Sequence, residues 1–183
     1  MSGPKHTPTT LRPPSHPAPS GLIISANVSV TGFGKRWSHC HQLANYFARY
    51  ASANEGDPER HSTLLSTFFN ELFEAIYRNH APNGFIKIEF TRTSGRVLVR
   101  AEVPTTPQTE HFYRHAVELV NQPDPMSWYR KRLEYDAPEE EVTSLGLLEL
   151  AVVYGSKLSV DGLDDGQSLA LTIEFPFTEA DEV

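Results

Sequence analysis

Cysteine is almost missing from this chain: Cys40 stands alone among 183 residues. A single thiol excludes an internal disulfide framework and fits a reducing compartment. Long apolar runs are missing as well. None approaches the roughly 18 residues that a membrane-spanning helix needs, and the N-terminus lacks the apolar region of a secretory signal. The expectation is a soluble, cytoplasmic protein with no membrane contact. Basic charge is in deficit, with 16 Lys and Arg against 23 Asp and Glu for a net charge of −7 and a pI near 5.6. That balance argues against a general nucleic-acid binder, which must concentrate cations on one surface to neutralise phosphates. There is no phosphate-loop motif, no G-x-S-x-G and no internal repeat.

What is present divides unevenly. Residues 1–20 hold six of the fourteen prolines, no acidic residue and almost nothing large and apolar. Such a segment cannot repay the entropy of ordering, so it reads as a disordered Pro-rich arm. Residues 178–183 read as a short acidic tail. Between them, residues 21–177 suit one domain, because a chain with 39% hydrophobic residues and this length buries one core.

Within that domain the apolar period changes repeatedly. Leu22 to Thr31 alternates as a half-buried strand, ended by Gly32 and Gly34. Trp37, Cys40, Leu43, Ala44, Phe47 and Ala51 recur at three and four, predicting a helix from Trp37 to Ala51. A second helix is predicted from Glu59 to His80, stopped by Ala81-Pro82-Asn83-Gly84. Phe85 to Thr91 and Arg96 to Val103 alternate around a Thr93-Ser94-Gly95 turn, giving a hairpin. Helices are predicted over Thr109 to Asn121 and Pro125 to Tyr135, the latter entered through an Asp124-Pro125 cap. A short apolar helix, Leu147 to Tyr154, precedes a hairpin of Lys157 to Asp161 and Ser168 to Phe175. The sum is α+β: a two-layer α/β sandwich, a mostly antiparallel sheet with helices on one face.

Chemistry concentrates on the long helix. Leu64, Phe68, Leu72, Ala75 and Asn79 succeed each other by three or four, and Glu71 stands three after Phe68 and four before Ala75, so Glu71 and Asn79 share a stripe beside the core face. A part-buried carboxylate needs a partner or a ligand, and Arg78 stands close to the same line. The bland alternative is that Glu71 pairs with Arg78 or a neighbouring helix. His39, Cys40 and His41 are not read as a metal site, because residues i and i+2 on a helix do not converge. His111 and His115 have zinc-like spacing without the metalloprotease glutamate between them. The Glu139-Glu140-Glu141 run reads as a solvated loop.

In order and spacing, the helix 59–80, the hairpin 84–103, the two following helices and "SLGLLELAVVYGSKLSV" resemble the GHKL (histidine-kinase-like, Bergerat) ATP-binding fold. The branch is that of small bacterial regulators: SiaB-type kinases, anti-sigma-like proteins and cyanobacterial relatives. "ELFEAIYRN" stands where the family has a helix like E-L-L-E-N-A-x-K-[HFY]. The resemblance implies that Glu71 orients or deprotonates the attacking group and that Arg78 approaches the phosphates. The asparagine that holds Mg²⁺ in the family falls on Ala75, and Asn79 lies one turn further along. "SLGLLEL" matches a glycine-rich lip, putting Ser144, Gly146 and Leu147 near a phosphate at a helix N-terminus. The family's adenine-reading D-x-G-x-G has no clean counterpart in "VRAEVPTTPQTEH". What this implies is a signalling regulator acting on a small SiaC-like or STAS-like protein, with weak or absent ATP and Mg²⁺. The alternative is an active SiaB-like protein serine/threonine kinase.

Overall fold

A computed structural model of the chain describes residues 21–33, 38–53, 57–93, 96–134, 145–164 and 166–176. The expected arm, the acidic tail, Trp37, the middle of the first hairpin turn, Glu139 to Glu141 and Ser144 lie outside the described residues. The described chain runs β1 (Gly21–Ser29), α1 (Val30–Phe33), α2 (Ser38–Ser52), α3 (Pro58–Arg78), β2 (Phe85–Thr93), β3 (Arg96–Pro104), α4 (Pro107–Val120), α5 (Pro125–Glu134), α6 (Leu145–Val152), β4 (Lys157–Gly162) and β5 (Ser168–Pro176).

The strands form one five-stranded sheet in the order β1-β2-β3-β5-β4, with every neighbouring pair antiparallel. Alternation explains its two faces. Along β3, Val97, Val99, Ala101 and Val103 are buried while Arg96, Leu98, Arg100 and Glu102 turn the other way. On β2 the buried set is Ile86, Ile88 and Phe90. The opposite face carries ion pairs, Lys87 with Glu89 at 2.9 Å and Arg100 with Glu102 at 3.3 Å. Helices cover the apolar face, and the molecule is the two-layer α/β sandwich that the sequence predicts. No helix among the described residues is long and apolar enough to cross a membrane.

α3 is the spine of the helical layer. Asp57 caps it by accepting from the Arg60 N–H at 3.1 Å, and Pro58 opens its first turn. Its phenylalanines reach the sheet: Phe69 meets Phe90 of β2 at 5.5 Å between ring centroids, and Phe68 meets Phe175 of β5 at 5.0 Å. Phe47 of α2 packs between Phe69 and Phe73, at 5.3 and 5.6 Å. Such fully buried rings each contribute ~3–5 kcal/mol by truncation. Cys40 is buried in the same layer, and burial followed by the charge of Glu74 pushes its thiol pKa up to about 12.

Three expectations need correction. The first strand ends at Ser29, because Val30 and Phe33 are both buried; at spacing i, i+3 only a helical turn puts both on one side. On α3 it is Leu65 that enters the core, while Leu64 remains 42% exposed. α6 begins at Leu145, before the expected Leu147, and ends at Val152. Gly155, at φ +63°, then turns the chain so that the Ser156 N–H returns to the Leu150 carbonyl at 3.2 Å.

Candidate functional site

The helical period of α3 brings Glu71, Glu74, Ala75 and Arg78 to one side, and α6 lies against them with Leu145, Gly146 and Glu149. These seven residues line a cleft of about 140 Å³. Segments more than sixty positions apart in sequence therefore close around one space. The contact is tight at Gly146, where a Cβ atom would stand 3.3 Å from Glu71 Oε2 and 3.4 Å from its carbonyl oxygen. Glycine is what lets α6 approach this closely.

Electrostatics in the cleft are dominated by carboxylates. Glu71 is half-buried, and its pKa is raised, first by desolvation and then by the negative charges of Glu149 and Glu74; Arg78 opposes the shift. Two tyrosines feel the same field. The pKa of Tyr129, on α5, is raised by burial, then by Glu149 and then by Glu71. Tyr154 is raised by burial, then by Glu149 and Glu71. Glu74 is held in place by Asn70 Nδ2, which donates to its Oε1 at 2.7 Å. Three helices, α3, α5 and α6, and the turn after α6 thus contribute to one acidic network.

Of the residues expected at the site, the structure brings together Glu71, Arg78 and Gly146. Leu147 is fully buried in the core and is not part of the cleft lining. Asn79 is also buried. Its Nδ2 donates to the Ala75 carbonyl at 2.9 Å and its own carbonyl accepts from the Tyr113 hydroxyl at 2.7 Å, so its side chain serves the end of α3. Ser144 lies outside the described residues. Ala75, in the lining, presents no oxygen from its side chain.

Sequence reasoning missed Glu74, Glu149 and Tyr129. A signal existed for the first two: Glu74 stands three residues after Glu71, and Glu149 three after Gly146, spacings that share a helix face. Nothing local pointed to Tyr129. The histidines bind locally, His39 Nδ1 to the Gly32 carbonyl at 3.0 Å and His41 Nε2 to Asn45 Nδ2 at 2.9 Å. His111 and His115 stack ring on ring at 6.1 Å.

No family model matches the chain, and no curated protein matches it. Solved structures do. A chain of the SiaB–SiaC complex from Pseudomonas aeruginosa superposes with a TM-score of 0.55 at 14% sequence identity, covering 85% of this chain and 91% of that one. At that identity the likeness establishes a shared fold.

Proposed function

We propose that the chain is a regulatory GHKL-like domain of a bacterial signalling pathway, acting by binding a small SiaC-like or STAS-like partner protein, with ATP binding weak or lost. The fold shared with a chain of the SiaB–SiaC complex supports the partner class. The observation that carries the weak-nucleotide reading is the composition of the cleft. Three carboxylates, Glu71, Glu74 and Glu149, face one guanidinium, Arg78, so a triphosphate entering it meets more repulsion than attraction. Ala75 stands where the resemblance implies a magnesium-holding asparagine, and these residues fit a magnesium–nucleotide poorly. Glu71 stands beside Gly146 where the resemblance implies a base, without the metal side chain that the resemblance pairs with it.

One observation favours a second reading, an active serine/threonine kinase. A carboxylate whose pKa burial raises above the ordinary glutamate value, in a cleft beside Gly146, is a stronger base than a solvated one. The two readings separate on a candidate partner, any small SiaC-like or STAS-like protein of the host organism. The regulator reading expects a stable complex formed equally well with and without Mg-ATP, and no phosphate on the partner by mass spectrometry. A partner phosphorylated on serine or threonine, with the transfer abolished by Glu71→Gln, establishes the kinase instead. Failure of the two proteins to associate contradicts both.

A further inference from the structure

α5 is unlike the other long helices. α2, α3, α4 and α6 each bury a face, whereas no described side chain of α5 is buried. It is nevertheless rich in large apolar groups: Met126 and Trp128 are each 39% exposed and Leu133 58%. It also carries the run Arg130-Lys131-Arg132 in a chain of net charge −7. Arg130 and Lys131 are exposed, and Lys131 Nζ sits 5.1 Å above the centre of the Trp128 ring. That cation–π contact holds an aromatic plate and a cation side by side on the surface. α5 packs against α6 beside the cleft, so the outward groups are presented from a fixed support.

We infer that the Trp128–Lys131 side of α5 is a contact surface for the protein partner, and that the segment it receives sets an apolar group against Trp128 with acidic groups beside it. This rests on the partner-binding reading above and adds the chemistry of the partner's surface. Tryptophan and arginine on a fixed support are the groups that most often anchor protein interfaces, and exposed cations select an acidic counter-surface and speed encounter. A lipid surface fits less well. A helix lying in a bilayer interface gathers its apolar groups on one face, but Met126 and Trp128 are two positions, about 200°, apart on the helix.

The test uses the full chain with Trp37→Phe, leaving Trp128 as the one tryptophan of the two in the sequence. The probes are a helical peptide of leucine with glutamate, its twin with lysine for glutamate, and vesicles of phosphatidylglycerol, all at near-physiological salt. The glutamate peptide is expected to shift Trp128 emission to the blue, with the lysine twin weaker by ~10-fold or more and a similar loss in Arg130→Glu/Lys131→Glu. Arg130→Gln/Lys131→Gln, checked for an unchanged thermal melt, is expected to lose part of that binding. Equal binding of both peptides, binding indifferent to the charge reversal, or a response to vesicles alone overturns the inference. The partner-binding reading is judged separately, since it fails only if SiaC-like or STAS-like proteins of the host organism do not associate with the chain.

Discussion

Glu71 Oε2 lies 3.3 Å from the point where a Cβ on Gly146 would stand, so an acid on α3 and a glycine on α6 are direct neighbours across the cleft. The separation is tighter than an ordinary van der Waals contact and the nearest atom is the end of a side chain, which can move. Gly146→Ala is therefore expected to fold. Its gain in helix propensity, ~0.5–1 kcal/mol, is offset by displacement of the Glu71 carboxylate. In a Glu71→Ala background the offset disappears. A double-mutant cycle in urea should show coupling of ~0.5 kcal/mol or more between the two positions, and simple additivity would contradict the contact.

The pH dependence of Glu71 has a defined sign. Its folded pKa is raised, so the folded state binds this proton more tightly than the unfolded state. The stabilising contribution is greatest at low pH and is lost as pH rises from the ordinary glutamate value through the folded one. Ionised Glu71 therefore weakens the fold at neutral pH, and Glu71→Gln should raise the Tm at pH 8 by about 1 °C or somewhat more, a modest effect because water reaches the cleft. At about pH 3, below the ordinary glutamate value, the advantage should vanish. Thermal melts at the two pH values check this, and a Glu71→Gln protein less stable at pH 8 would contradict it.

Tyr113 offers a test of how the end of α3 is secured. Its hydroxyl, fully buried, donates to the Asn79 carbonyl at 2.7 Å, and burial raises its pKa far above the usual tyrosine range. Tyr113→Phe keeps the ring and leaves the carbonyl without that donor. The expected loss is ~1–3 kcal/mol of unfolding free energy, measurable by chemical denaturation, with no change in partner binding because neither residue lines the cleft.

The sheet was readable because its strands alternate. Ile86, Ile88 and Phe90, or Val97, Val99 and Ala101, are spaced by two and fall on one face whatever packs against them. The caps were readable too: Asp124 accepts from the Ser127 N–H at 3.1 Å, as its place before Pro125 suggests. Where two apolar residues are adjacent, as at Leu64-Leu65, the wheel alone did not choose which enters the core. The segment Val30 to Phe33 misled for a different reason, since its β-branched start continues the strand pattern and only burial against the rest of the molecule winds it into a turn. At the site, Glu71, Arg78 and Gly146 were legible through motif and spacing. Glu149 had the spacing to Gly146 to suggest it, but Tyr129 was not legible, because it reaches the cleft only through the packing of α5 beside α6, a long-range relation with no local period.

Calorimetric titration of the purified chain with Mg-ATP tests the central claim most directly. An acidic cleft with Ala75 in its wall predicts no heat of binding, or a Kd in the millimolar range, and the same result for Glu71→Gln. A micromolar Kd for Mg-ATP, weakened by substitution at Arg78, would contradict the account and return the chain to the active kinases.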